Sequence, residues 1–473
     1  MMVFMVAGLI QAQPSTDLKY RKYRVALVPG ISSNGIDAKE YTAKYSLNLI
    51  AGYNGGLDGF EIGPVNINKH YSRGMQIGVL NITGGEMHGF HIGSIANISR
   101  DEMQGLQFAG ITNVAGGELS GIQFAGITNV AGGNLNGIQF SGIANVAGGE
   151  LSGIQFAGIT NVSDAEMSGI QLSGIANISN FDMQGIQISG ILNVANNNLQ
   201  GVQLAGIANV NDGTSQGLIG AGIMNYSTGS AQGIYYSGVA NYAEEFQGVA
   251  IAGAVNYSGH TQGLQISGLA NIATSFQGIQ VGGLVNVVEY GQGIQVGAFN
   301  FGKEFEGVPV GLISLYGNGR KQIDVWAADG GFTYAGFKTG TYDVYNMISI
   351  GYNPTITERD VWALAWSIGL HRPLDEVWED ARYEGYFLNQ DFTIQHIQEG
   401  KYRDDLNHIY SYKYLLGREY SNGFSAYAGP TLNMMVSKNP NNEDYIWYSL
   451  HDITRKGREY KFWVGLTVGM QFF

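Results

Sequence analysis

Apolar and amide positions recur in a fixed sixteen-residue order over more than half of the chain. The unit reads G-I-Q-x-x-G-I-x-N-V and then a variable turn. Its leading glycines fall at Gly105, Gly121, Gly137, Gly153, Gly169, Gly185, Gly201, Gly217 and Gly233. Units at Gly59, Gly74 and Gly89 precede this run, and units at Gly248, Gly263, Gly278 and Gly293 and a degenerate one at Gly307 follow it, which makes seventeen. A period this strict predicts an elongated array in which each unit leans on its neighbours.

Within the unit, glutamine keeps one place, at Gln107, Gln123, Gln139, Gln155, Gln171 and Gln187. Asparagine keeps another, at Asn97, Asn113, Asn129, Asn145, Asn161, Asn177, Asn193 and Asn209. A parallel β-solenoid of 15–16-residue coils explains both. Coils stack at about 4.8 Å, so identical residues stand above one another, and stacked amides can hydrogen-bond up the ladder. These fourteen amides are expected to be structural and to line a common edge. Ile122, Phe124, Ile127, Val130 and Leu135 are expected to fill a narrow interior, and glycine to supply the corners. Seventeen coils predict a rod of roughly 80 Å. The alternation I-Q-F also suits one strand per unit in an antiparallel meander or large barrel. In that arrangement two kinds of turn would alternate, whereas one turn grammar recurs at every unit.

After Gly311 the period gives way to strict two-residue alternation. Tyr460, Phe462, Val464, Leu466, Val468, Met470 and Phe472 interleave with Lys461, Gly465, Thr467, Gly469 and Gln471. Trp362, Leu364, Trp366, Ile368 and Leu370 form a second series, and Phe424, Ala426, Ala428, Leu432, Met434 and Val436 a third. About eight such segments are predicted, near 321–328, 331–338, 342–353, 360–371, 383–397, 406–418, 422–437 and 459–473. Large apolar residues on one face and small or polar ones on the other are the pattern of an outer-membrane barrel. A soluble antiparallel barrel would share the alternation but would need a layer to cover that apolar face. The expected fold is therefore all-β, a solenoid followed by a C-terminal antiparallel barrel. The divisions are a signal segment at 1–12, an N-terminal capping region at 13–58, the solenoid at 59–315 and an outer-membrane-type barrel at 316–473. The signal expectation rests on the apolar run Val3–Ile10 and on Ala12 before Gln13-Pro14, without a basic n-region.

Charge narrows the partners. No lysine or arginine lies between Arg100 and Lys303, although eleven acidic residues do, and the net charge is −13. Such a surface cannot neutralise phosphates, which excludes nucleic acid as a partner of the array. The chain has no cysteine, so no disulfide or thiolate metal site supports it. Catalytic signals are poor. His88 and His91 lack further ligands and read as exposed strand histidines. Asp375, Glu376, Glu379 and Asp380 form an acidic loop without the glycine turn of an EF-hand. No nucleophile elbow or zinc-protease motif is present. Glu118, Glu150, Asp164 and Glu166 sit in turns, usually one per coil, and not as an acid pair. No cofactor, metal or catalytic residue is expected.

At GIQFAGITNVAGG the chain resembles bacterial surface-repeat proteins of spirochaete and Bacteroidetes type, whose repeat has the same G-[IV]-Q-x-x-G-[IL]-x-N-[VI] grammar. The match covers residues 59–315. The resemblance implies a secreted or cell-surface location and assigns no activity. No lipobox cysteine is present, so attachment would fall to the C-terminal region. The expectation is a non-enzymatic cell-envelope protein, anchored in outer-membrane lipid by its barrel and presenting the solenoid to a protein or glycan. A transport or pore component and a carbohydrate-active enzyme on the solenoid are the alternatives.

Overall fold

The structure, a computed structural model, describes residues 18–402, 406–420 and 423–472. The expected signal segment, 1–12, lies outside these residues. The chain forms a parallel β-solenoid of about seventeen turns and a closed antiparallel barrel of eight strands. It divides into two compact units, one ending at Glu245 and one beginning at Phe246.

In the first unit most sixteen-residue coils carry two short strands, such as Leu119–Ala125 and Thr128–Ala131. Equivalent residues of successive coils pair in parallel. Gln139 lies between Gln123 and Gln155, and Asn129 between Asn113 and Asn145. Parallel, in-register pairing rules out the antiparallel meander. Strand Lys19–Val28 pairs in parallel with Tyr41–Asn48, which pairs in parallel with Ala51–Ile62. The described part of the region expected to cap the array is thus itself built of parallel rungs.

The interior differs from the expected apolar set. Leu135 is fully buried, but Ile122, Phe124 and Val130 are only half-buried and Ile127 is 40% exposed. All fourteen ladder amides are 0% exposed: they fill the interior and line no outer edge. Side chains alternate along a strand, so Leu119, Gln123 and Ala125 share the inward face while Ile122 and Phe124 point out. Enclosed amides are tolerated because the ladder satisfies them. Asn113 donates from Nδ2 to Asn129 Oδ1 at 3.0 Å and to the Phe124 carbonyl at 2.8 Å. Gln123 donates from Nε2 to Gln107 Oε1 at 2.8 Å. The two rows run in opposite senses. Each asparagine donates toward the C-terminus and each glutamine toward the N-terminus.

The leading glycine is not a corner residue either. Gly201 lies inside strand Leu199–Ala205 with φ +144°, and a Cβ there would press on the carbonyl oxygen of Gly185 one coil below. The second glycine of the unit, such as Gly126, does stand at the corner between the two strands.

Charged residues close the N-terminal ends of both rows. Asn48 donates to Asn66 Oδ1 at 2.8 Å, and its own Oδ1 accepts from Arg24 at 2.8 Å. Toward the N-terminus the glutamine row breaks where Gln107 turns its amide to Met87 Sδ; the same place on the earlier coils holds His91, Gln76 and finally Glu61, whose carboxylate accepts from Asn48, Asn54, Asn68 and Gln76 at 2.8–2.9 Å. A cation therefore meets the acceptor end of the asparagine row, and an anion stands at the N-terminal end of the glutamine position. Both Arg24 and Glu61 are buried. Ile219 and Tyr235 replace glutamine in the later coils of this unit.

In the second unit the coils continue as strands such as Val255–Ser267 and Ala270–Gly282, with Gln295 donating to Gln280 and Gln280 to Gln265 at 2.7–2.8 Å. Tyr316 closes the acceptor end of that row, its hydroxyl donating to Gln295 Oε1 at 2.5 Å. The last coil is fastened to the barrel. Asn346 accepts from the Gly311 amide at 3.0 Å and donates to the Pro309 carbonyl at 2.9 Å. Trp366 Nε1 donates to the Gly311 carbonyl at 2.6 Å.

The barrel strands are Arg320–Ala328, Thr333–Gly340, Val344–Tyr352, Val361–Pro373, Tyr386–Glu399, Asn407–Tyr420, Phe424–Ser437 and Arg458–Phe472. All neighbours are antiparallel, and the first strand pairs with the last from Ile323↔Phe472 to Ala328↔Thr467, closing the cylinder. A short strand, His451–Arg455, pairs with the last as an additional hairpin.

Candidate functional site

With the amides enclosed, the outside of the coils carries the apolar residues. Phe108, Phe124, Phe140 and Phe156 stack face to face at 4.8–4.9 Å with their planes within 5°. Leu172 and Ile188 continue this wall. Beside it runs an open groove of about 970 Å³, floored by Ala109, Ala125, Ser141, Ala157 and Ser173 and by glycines such as Gly110 and Gly126. The next residue along each coil is the corner isoleucine. Ile111, Ile127, Ile143, Ile159, Ile175, Ile191, Ile207 and Ile223 form a ridge, each 40–47% exposed. No ionisable side chain lines the groove. The volume lies at the upper end of the range for small-molecule sites.

The acidic residues Glu118, Glu150, Asp164 and Glu166 occupy the other corner and are exposed. Glu118 and Asp164 accept from neighbouring amides, whereas Glu150 and Glu166 line one open hollow with Asp182 on successive coils. Asn136 donates to Glu118 at 2.9 Å and Asn180 to Asp164 at 2.7 Å. This corner is polar, whereas the corner carrying the isoleucines is not.

His88 and His91 do not converge on a common point. His88 is half-buried, with Nδ1 2.9 Å from Gln104 Oε1. His91 is fully buried, contrary to its reading as an exposed strand residue, because it takes the glutamine position of its coil, between Gln76 and Gln107. Its Nδ1 lies 3.1 Å from Gln76 Oε1. Its Nε2 lies 3.3 Å from the His88 carbonyl, so both ring nitrogens face acceptors and the neutral ring can donate to only one of them. Burial pushes the imidazole down to about 4, since the enclosed ring cannot be solvated as a cation. In the acidic loop, Leu374–Trp378 forms a single helical turn and Asp380 is paired with Arg382 at 2.6 Å. Among the described residues no group of three histidine, aspartate or glutamate side chains is arranged to hold a metal ion.

The barrel presents its apolar series outward. Val464, Leu466, Val468, Met470 and Phe472 are 40–56% exposed, while Lys461, Thr467 and Gln471 on the opposite face are buried. Inside, Lys338 and Asp324 form an ion pair at 2.8 Å, each 1% exposed. Lys338 also donates to Gln471 at 3.0 Å and lies 4.4 Å from the Tyr345 ring centre. Tyr427 donates to Asp324 at 3.2 Å, Tyr345 donates to Asp391, and Lys413 lies over the Trp326 ring. A second cluster, including Trp326, Phe332, Tyr334, Met347, Phe387 and Trp463, packs the remaining interior. These inward charges were passed over in the sequence. Their signal is phase: Lys338 shares the parity of Gly336 and Gly340, and Asp324 that of Gln322 and Trp326, opposite to the exposed Ile323 and Val325.

Compared with protein-family models, with characterised proteins and with solved structures, the chain matches none.

Proposed function

We propose that this chain is a non-enzymatic scaffold of the bacterial outer membrane, with its barrel set in lipid and its solenoid offering a long apolar surface to a protein partner. The observation that carries the reading is the inverted barrel: a closed cylinder with large apolar side chains outside and a paired Lys338–Asp324 core inside. A closed sheet leaves no backbone group unpaired along its edges, which is the condition for crossing hydrocarbon with strands. The apolar band then needs no covering layer.

The contents of the barrel favour an anchor over a pore. Eight strands leave room only for side chains, and the ionic network and the aromatic cluster occupy it. The solenoid's lack of cations argues against nucleic acid and anionic headgroups as its partners.

Fractionation tests the anchor. The full chain, exported with a bacterial leader, should remain with outer membranes through an alkaline wash and need detergent for release. Recovery of a folded chain in the soluble fraction would end the reading.

A further inference from the structure

We infer that the isoleucine ridge and the neighbouring phenylalanine groove of the first unit form a self-pairing surface whose occupant is a second copy of this chain. The inference names the partner in the scaffold reading and rests on the coils alone, not on where the barrel sits.

Three observations lead to it. The first is spacing. The phenylalanine wall repeats at 4.8–4.9 Å and the isoleucine ridge repeats once per coil beside it. A ridge that fits such a groove must repeat at the same interval for its whole length. The chain itself carries such a ridge next to the groove. Under a twofold operation the ridge of each copy lies in the groove of the other, which is the isologous arrangement of most dimers. Rows of identical side chains at one spacing also interdigitate without voids, as in steric zippers.

The second observation is charge. The groove lining has no ionisable residue, and the acids stand at the opposite corner, so joining two such faces desolvates no charge. The acids of both copies would stay in water despite the net charge of −13. The third is area. A strip five residues wide spans about 16 Å, and the eight coils of the ridge rise about 38 Å, which gives roughly 600 Å² per copy. That is the share one partner contributes at the lower end of standard stable interfaces, about 1,200 Å² in total.

The chain lacks cysteine, so one introduced thiol reports on one place. The test uses full-length protein in native membranes, with Ile159→Cys on the ridge and Glu166→Cys on the acidic corner as the control. A short bis-maleimide should join Ile159→Cys copies into a species of twice the chain mass, at least five-fold more than the control. Adding Ile127→Glu and Ile191→Glu should abolish that product, with far-ultraviolet dichroism confirming that the strands persist. Three results would overturn the inference: equal cross-linking at both positions, an adduct whose mass is not twice that of the chain, or cross-linking unaffected by the two glutamates. If fractionation shows the barrel to be soluble, the same double-mass product is still expected without membranes, so the two ideas fail separately.

Discussion

Asn129 donates a side-chain proton to Asn145 Oδ1 at 3.0 Å, and neither side chain touches solvent. Asn145 in turn donates to Asn161 at 3.0 Å and to the Phe156 carbonyl at 2.6 Å. Its Nδ2 also lies 3.3 Å from the Gln139 carbonyl, so replacing Asn145 with alanine removes a partner from four enclosed groups, at about 1–3 kcal/mol for each left unsatisfied. The expected cost is at least about 3 kcal/mol, local to the adjoining coils because each unit contacts only its neighbours. Amide hydrogen exchange in Thr128–Ala131 and Thr160–Ser163 should accelerate about a hundred-fold, whereas the exposed Ile143→Ala should change it little.

His91 makes the first unit sensitive to mild acid. Its folded value is about 4, below the ordinary 6.5 of the unfolded chain. Between these values the unfolded state binds the proton and the folded state does not. Stability is therefore full above about 6.5, falls as pH drops toward 4, and loses nothing further below that. The loss is about 3 kcal/mol on the scale of 1.36 kcal/mol per pH unit. Substituting His91→Gln restores the ladder residue and should flatten this dependence relative to the parent chain. Parallel melts of the two proteins from pH 7 to pH 4 would read it, and identical slopes would refute the assignment.

Arg24 and Glu61 close the two amide rows, and both are buried. Glu61→Gln exchanges a four-fold acceptor for a group with one acceptor oxygen. Hydrogen bonds to charged groups contribute about 1.5–3 kcal/mol each, so exchange protection over Tyr41–Asn48 and Ala51–Ile62 should fall by ten-fold or more. The pair Arg24→Met with Glu61→Gln should cost less than the sum of the single changes, because each single change strands the opposite charge. A double-mutant cycle measures this.

Val468 is 53% exposed on the barrel's outer face. If that face meets lipid, Val468→Arg should destabilise the barrel by about 2–4 kcal/mol in bilayers. An exposed site in water would shift by no more than about 0.5 kcal/mol. Refolding into lipid vesicles, followed by tryptophan fluorescence under denaturant, separates the two.

The two large periodicities made much of the fold legible in advance. Equivalent residues such as Gln123 and Gln139 recur sixteen apart because coils stack in register, and the eight alternating segments mark the barrel strands to within a few residues. The inside and outside of the solenoid were not legible from hydrophobicity alone. Ile122, Phe124 and Val130 are out of phase with Leu135 along the strands, and only Leu135 points inward. The better signal was parity combined with size: Gln123, Ala125, Asn129 and Ala131 fall on one phase and are invariant or small. The self-pairing surface was hidden for the same reason, since its residues look like core until the phase is known. The caps Arg24 and Glu61 lay outside the repeat, and only the closing of the rows gives them meaning.

Opposed donor directions in the two amide rows have a consequence for how such a protein can grow. Each added coil that carries both amides contributes one dipole of each sense, so its insertion adds little net axial dipole. Duplication or loss of whole units leaves the terminal charges as well matched as before. Array length is thereby free to drift as a reach-setting parameter, with Arg24 and Glu61 needed once per molecule.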